Sequence, residues 1–341
     1  MPIWAEDNTS LHFFPILDYA EETSLSAGGA LIYLFRPAEQ PKSVPPSLMK
    51  IQIKAGIKKS WSLELENEWQ FDEGKYAINL PFSLEQEGCN LYGTGGEIDI
   101  DHSQKNEFRH FRFSYEMLRR WSEFNFGFTY KGNYYKYADT IDEQWLLYED
   151  QLISAGGWSL GPGLTFQYNT LNNQYFPVKG LQIQLNLQTF SEALRSDYTF
   201  ERYSLTAIGY LPIKSLTTWA SELKIITNAG EIPYQELASL GAEMRIFQNG
   251  QFVDRSLISI STEIRSFPWS KPHWRRLGMV FFAEAGQIQK GLDEFYISGF
   301  RYGLGIGFRY LLDVDELFTL RLDTGLYKKQ TSTDFGVREA F

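Results

Sequence analysis

The chain has 341 residues with 26 Phe, 20 Tyr and 9 Trp, a formal net charge of -10 and one cysteine. The acidic balance excludes the clustered Lys and Arg that a nucleic-acid partner requires, and a lone Cys89 excludes an intrachain disulfide framework or a multi-cysteine metal site. No run approaches the roughly 18 uninterrupted apolar residues of a spanning helix and mean hydropathy is -0.31, yet an aromatic share of 16% suits girdles at two membrane interfaces better than an ordinary soluble core.

No basic n-region with an apolar h-region opens the chain, so residues 1–10 read as an N-terminal remnant standing in for a removed signal peptide. No Pro/Ser-rich linker divides the rest of the chain, and residues 11–341 are expected to form one transmembrane barrel domain. The first strands fall at residues 11–18, 24–35 and 48–57, the third with Met49, Ile51, Ile53, Ala55 and Ile57 opposing Lys50, Gln52, Lys54 and Gly56. Successive strand side chains point to opposite faces, so the lysines turn inward. Residues 61–69 come next, with Trp61, Leu63, Leu65 and Trp69 outward and Ser62, Glu64, Glu66 and Glu68 inward, where cross-strand pairing with the lysines contributes about 0.2 to 1 kcal/mol per pair. A fifth strand covers 75–84. Two aromatic strands succeed it: Phe111, Phe113, Tyr115 and Met117, then Phe124, Phe126, Phe128 and Tyr130, each alternating with polar or small residues. Further strands fit 159–169, 180–190, 198–210, 217–227, 256–267, 277–288, 300–312, 316–327 and 334–341. In 181–188, Leu181, Ile183, Leu185 and Leu187 alternate with Gln182, Gln184, Asn186 and Gln188, one face for hydrocarbon and one for water.

The tally is sixteen, an even number, and the expected fold is all-β: a closed transmembrane antiparallel barrel with a wet lumen. The alternative, a soluble sandwich or propeller, has no use for so many polar inward faces. The last strand places Phe335, Val337, Glu339 and Phe341 on one face; a terminal aromatic on an alternating strand is how outer-membrane barrels commonly end. Phe335, Val337 and Phe341 therefore read as the C-terminal barrel signal, with Phe341 ending the strand and pairing near residues 11–18.

At residues 240–265 the stretch LGAEMRIFQNGQFVDRSLISISTEIR resembles the long sixth loop and following strand of the BamA/TamA superfamily of outer-membrane proteins. That family shows a Gly-rich entry, an Arg-Gly-aromatic tip, an Asp-Arg pair and a strand ending in Glu-x-Arg. FFPILDYAEETSLSAGGALIYLF, NTLNNQYFPVKG, MVFFAEAGQI, GFRYGLGIGFRYLLDVDELFTLRLDTG and FGVREAF agree in order, so the resemblance runs from Leu11 to Phe341. It implies sixteen strands, with loop 6 folded into the lumen. It further implies a lock in which Arg245, the loop-tip arginine, meets Glu284, with Asp254, Arg255 and Glu263 as the remaining motif residues. A guanidinium removed from water costs several kcal/mol unless a carboxylate and further hydrogen bonds replace its hydration. Arg301, Arg309, Arg321 and Asp323 are the inward charges expected around the pair, and Gly303, Gly305 and Gly307 leave room for an inserted loop. Ile246 stands at the usual glycine of the tip and Asn169-Thr170-Leu171-Asn172 where the family shows Asp-Thr-Arg-Asp, so loop 6 is expected to be altered there. Family members that insert or secrete proteins carry polypeptide-transport-associated (POTRA) repeats before the barrel; this chain reads as a short stand-alone form without them.

His12, His102, His110 and His273 lack metal-ligand spacing, and neither a P-loop nor a nucleophile elbow occurs. No cofactor, metal or enzymatic activity is expected. The leading reading is a barrel of the bacterial outer membrane that assists insertion or movement of protein or lipid through a weak seam between first and last strands. The alternative is a passive channel or structural barrel, and capture of an outside partner by long loops is a third. Expected partners are outer-membrane lipids, the barrel assembly machinery during insertion, and a second copy of the chain.

Overall fold

In the computed structural model of the chain, the described residues are 2–6, 9–20, 24–36, 40–41, 44–96, 103–137, 156–269, 274–313 and 318–341. The strands of the first half are β1 (Pro2–Glu6), β2 (Thr9–Ala20), β3 (Ser24–Phe35), β4 (Ser47–Gly56), β5 (Trp61–Phe71), β6 (Tyr76–Asn79), β7 (Phe82–Leu91), β8 (Gln104–Trp121), β9 (Phe124–Tyr137) and β10 (Gly156–Asn169). They continue as β11 (Gly180–Phe190), β12 (Phe200–Lys214), β13 (Thr217–Gly230), β14 (Ala238–Ser239), β15 (Val253–Asp254), β16 (Ser256–Ser266), β17 (Leu277–Gln289), β18 (Arg301–Asp313), β19 (Phe318–Tyr327) and β20 (Gln330–Val337). Among the described residues β14 and β15 pair only with each other; the other eighteen make one antiparallel sheet in which neighbours along the chain pair, except that β6 and β7 each bridge β5 and β8, and β13 passes directly to β16.

Eighteen segments stand where the alternation counts sixteen, for two reasons. Residues 2–6, part of the expected remnant, form β1 on the edge of β2, from Pro2↔His12 to Glu6↔Thr9. The strand expected at 75–84 is split into β6 and β7, both paired with β5, because Pro81 has no N–H to continue the ladder; the Leu80 N–H fills the gap by donating to the Asn67 carbonyl at 2.9 Å. β8 and β9 also outrun the aromatic stretches that announce them. Their extensions carry Phe108, His110, Tyr135 and Tyr137, beyond the zone where apolar residues alternate cleanly with polar ones.

The two faces divide as the period demands. Ile53, Phe126, Phe128, Trp219, Ile260, Phe281, Leu304 and Phe308 are exposed, while Lys50, Thr165, Gln188, Glu263, Arg265, Glu284, Arg309 and Asp323 are buried. A continuous apolar exterior of this extent belongs in hydrocarbon. Lys50 Nζ lies 2.8 Å from Oε1 of Glu66, its register partner.

The seam between first and last strands is built differently. The register pairs of the described residues join β20 to β19 and β2 to β1 and β3, with no ladder between β20 and β1 or β2. Phe335 and Val337, register partners of Leu322 and Leu320 on the outward side of β19, pack against the buried inward cluster of Phe14, Ile16, Ala30, Ile32, Leu34 and Leu48, and the Phe14 and Phe335 rings are 6.4 Å apart. The outer face of the last strand thus lies on the inner face of β2–β4, and β1 occupies the β2 edge from Thr9 to His12. The expectation that Phe341 ends the strand is corrected here. β20 stops at Val337, Arg338 takes φ 71°, and the chain turns into the lumen. Burial explains the turn: Glu339 on the outward face would lie in lipid, whereas inside it meets two arginines.

Both mouths of the lumen are occupied. From one rim, the segment between β13 and β16 enters the barrel, carrying a 3-10 turn at Tyr234–Glu236, the β14–β15 hairpin and a one-turn helix α1 (Leu240–Glu243). Across the opposite rim lies the β10–β11 connection. Its Tyr175 hydroxyl donates to the Pro46 carbonyl at 2.8 Å, Gln174 Nε2 reaches Glu68 at 3.3 Å, and Phe176 meets Phe267 edge-on at 5.4 Å. Asparagine oxygens shape it: Asn169 Oδ1 accepts from Leu171 N, Asn172 Oδ1 from Val178 N and Lys179 N, and Asn173 Oδ1 from Tyr175 N and Phe176 N. An amide oxygen accepts here as a carboxylate would, so Asn for Asp at 169 and 172 keeps the turn and loses only charge.

Candidate functional site

The lumen segment is held at Arg245. Its Nε donates to Glu284 Oε1 at 2.8 Å, and its Nη1 donates to Glu263 Oε2 at 2.7 Å and Asp323 Oδ2 at 3.1 Å. These carboxylates come from the inward faces of β17, β16 and β19, so one side chain ties three wall strands to the segment. The backbone contributes as well, because Glu284 Oε2 accepts from the N–H groups of Arg245 at 2.8 Å and Ile246 at 3.3 Å. The guanidinium carbon sits 3.8 Å from the centre of the Phe282 ring, a desolvated cation–π contact. Burial alone would lower the Arg245 pKa; Glu263, Glu284 and Asp323 outweigh it and hold the guanidinium above its ordinary value.

The pair belongs to a larger charge cluster. Arg309 Nη1 meets Asp323 Oδ1 at 2.6 Å and its Nε meets Glu339 Oε2 at 2.7 Å. Arg265 bonds Glu263 and lies 3.5 Å from Glu339, while Arg321 bridges Asp323 at 3.1 Å and Asp334 at 2.5 Å. Four arginines, 245, 265, 309 and 321, thus face four buried carboxylates, 263, 284, 323 and 339, with Asp334 at the margin. Buried charges tolerate the low-dielectric interior only when matched and hydrogen-bonded in this way.

Packing completes the attachment. Ala238, Leu240, Met244, Ile246, Phe247 and Phe252 of the segment share an apolar cluster with Leu257, Val280, Phe282, Ile288 and Tyr327 of the wall. Two glycines make the approach possible: a Cβ at Gly325 would lie 2.6 Å from the Arg245 carbonyl oxygen, and one at Gly286 2.5 Å from Met244 Sδ. Of the glycines expected to make room, Gly303 faces Ile246, whereas Gly305 and Gly307 accommodate the wall's own Phe282 and Asp323. Ile246 is fully buried, and positive φ falls instead on Gly250 and Phe252, so a β-branched residue at 246 is unstrained. Further anchors are Lys224 to Glu243 at 2.5 Å and Arg202 to Glu236 at 3.2 Å.

Three residues expected near the pair lie elsewhere. Asp254 is buried in the β14–β15 hairpin, where its Oδ1 accepts from Arg255 N at 2.8 Å; burial raises its pKa, and that hydrogen bond offsets part of the rise. Arg255 Nη1 donates to the Gly230 carbonyl at 3.1 Å. Arg301 stacks 4.4 Å over Phe252 and donates to the Gly96 carbonyl, clamping the segment from the rim. Phe335 and Val337 lie on the overlapped seam. The Phe341 ring approaches Arg265 and Arg245 at 5.4 and 5.9 Å, and its carbonyl accepts from Arg265 Nη2 at 2.9 Å. The alternation does not single out Glu339, Arg265 or Phe282, although a glutamate on a nominally lipid-facing position is itself a signal of a turn inward. His102 and His273 fall outside the described residues; His12 and His110 sit on separate strands.

The chain matches the Omp85 superfamily domain over residues 48–334. Comparison with curated protein sequences finds no match. Among solved structures the fold is similar to BamA from Haemophilus ducreyi lacking POTRA domains 1-3, with TM-score 0.58 and 13% identity over 97% of this chain and 69% of that one. It is also similar to CdiB from Acinetobacter baumannii, with TM-score 0.59 and 11% identity over 98% of this chain and 60% of that one. CdiB from Escherichia coli gives TM-score 0.61 and 11% identity over 98% and 62%. The chain therefore spans somewhat under two thirds of the CdiB chains, and at these identities the likeness is one of fold. With the superfamily domain covering most of the sequence and an apolar exterior around a charged lumen, the chain belongs to the Omp85 superfamily of bacterial outer-membrane β-barrels.

Proposed function

We propose that residues 11–341 work as one barrel that acts on the outer membrane, assisting insertion or movement of protein or lipid, and that Arg245 is the lock keeping the lumen segment in place. The observation that carries this reading is the seam. Its strands meet through side chains of β20 laid over β2–β4, with no ladder among the described residues, so parting them breaks apolar contacts and few backbone hydrogen bonds. The other wall strands are joined to their neighbours by ladders, and strain imposed by the bilayer or a client strand would concentrate at the overlap. Outer-membrane lipids are the partners this geometry meets first.

The lumen argues against the alternative of a passive channel. A pore needs a continuous water path, and here the segment bound at Arg245 lies in one mouth while the β10–β11 connection crosses the other. Reconstitution of the full chain in liposomes, with ion conductance, lipid transfer between leaflets and the rate of insertion of a second barrel protein measured on the same preparation, tests the choice. Lipid transfer, or accelerated insertion of a second barrel protein, with conductance near background supports action on the membrane. Steady conductance with neither of these would establish the channel.

A further inference from the structure

A second feature of the lumen lies away from the arginine cluster. Between the inner faces of β4, β5 and β7–β9 and the inserted segment is a cavity of about 380 Å3, within the size range of small-molecule sites. Its lining residues carry buried polar atoms with no hydrogen-bond partner among the described residues: the hydroxyl oxygens of Ser60 and Ser62, Nε2 of His110 and both amide atoms of Gln235. Ser60, Ser62 and His110 are 5%, 2% and 3% exposed. Buried polar groups are nearly always hydrogen-bonded, because a donor or acceptor cut off from water and left without a partner destabilises the fold.

The chemistry of these groups narrows the ligand. Glu85 Oε1 lies 2.8 Å from His110 Nδ1 and 3.0 Å from Arg112 Nη2, so in the neutral ring Nε2 is offered as an acceptor. The serine hydroxyls and the glutamine amide both donate and accept. Two cations, Lys54 and Arg112, and two carboxylates, Glu85 and Glu87, line the same space, so neither charge sign is selected. Aromatic surface flanks the polar groups, with Tyr135 stacked 3.8 Å from His110. Mixed donors and acceptors without net charge, beside aromatic faces, match a ring bearing several hydroxyls. We propose that this cavity binds a neutral saccharide of one or two rings, either free or as the sugar part of a lipid. Gln235 belongs to the inserted segment, so the ligand would bind the wall and the segment together and favour the seated position. Nothing in this site depends on the membrane activity of the seam.

Cys89, the chain's only cysteine, lines the cavity and reports on it directly. The rate of its modification by methyl methanethiosulfonate is measured on the folded full chain in detergent, with N-acetylglucosamine, galactose or lactose added, and in vesicles with and without lipopolysaccharide. At saturation a ligand should slow modification about fivefold or more, the unoccupied fraction alone remaining reactive. Ser62→Ala and Gln235→Leu should each raise the protecting concentration about tenfold. Protection by the free sugars, or only in lipopolysaccharide vesicles, supports the site and tells its source. No protection by any of them, protection unchanged in both variants, or equal protection by anionic glucuronate would overturn the proposal.

Discussion

Removing Arg245 and removing Glu284 should not cost the same, although the two groups form one pair. In Arg245→Ala, Glu263 keeps Arg265, and Asp323 keeps Arg309 and Arg321, but Glu284 loses its only salt bridge among the described residues. The cluster falls from four cations against four buried carboxylates to three against four. A carboxylate stranded in this way costs about 3 to 5 kcal/mol. In Glu284→Ala, Arg245 still holds Glu263 at 2.7 Å and Asp323 at 3.1 Å, and the loss reduces to charge-assisted hydrogen bonds, about 1.5 to 3 kcal/mol. The double variant restores balance at three against three, so the two costs should overlap by at least about 1.5 kcal/mol. Hydrogen exchange at the Leu240 and Met244 amides, whose acceptors lie within the segment and survive both substitutions, reads the opening of the segment. Additivity of the two changes within about 0.5 kcal/mol, or a larger effect from Glu284→Ala than from Arg245→Ala, would refute the assignment of Arg245 as the lock.

The other predictions use different parts of the wall. Gly325→Val places a side chain against the backbone of Arg245 and Ile246, so protease should cut within residues 231–252 several times faster while the barrel keeps its heat-modifiable mobility on gels; an unchanged rate would mean the segment does not rest on β19. Leu322→Arg, on the lipid face, should cost about 2 to 4 kcal/mol in urea titrations of folding into vesicles, and Arg321→Leu clearly less, with the reverse order inverting the face assignment. Asp254 has a folded pKa raised by burial, so its ionised form opposes folding at neutral pH and that penalty vanishes as pH falls through the folded pKa. Asp254→Asn should therefore raise the melting temperature at pH 7, and its advantage should shrink toward about pH 4, near the ordinary carboxylate range; an advantage that grows on acidification would contradict the burial argument.

Strand faces are legible in the sequence because a period of two leaves no freedom: once Ile51 points to lipid, Lys50 must point to water. Arg245 and Glu284 are legible only through resemblance, since nothing in local alternation says that a loop residue and a strand residue 39 positions apart will meet in a lumen. A weak seam is expected from the sequence, but its overlap is not legible there. The same alternation places Phe335 outward whether the neighbouring surface is lipid or the inside of β2, and overlap depends on closure of the whole sheet. Glu339 shows how a local rule fails usefully. Continuing β20 past Val337 would assign it to lipid, but one residue at φ 71° resets the phase, and the cost of a glutamate in hydrocarbon is the physical reason to expect such a reset. The split at Pro81 is visible in principle, because proline cannot donate to a ladder.

The occupied mouths have an electrical consequence. Residues 231–252 and the β10–β11 connection obstruct the lumen from opposite rims, so they stand as two resistances in series, and current is limited by whichever remains. Deleting the segment that carries Arg245 would leave Tyr175 bonded to Pro46 and Phe176 against Phe267. Arg338, bonded to Glu68 at 2.8 Å and stacked 5.0 Å over Tyr175, links that second resistance to the end of the last strand. Conductance through this barrel should therefore rise sharply only when both obstructions are removed, and displacing β20 at the seam would loosen the second one without any change at the first.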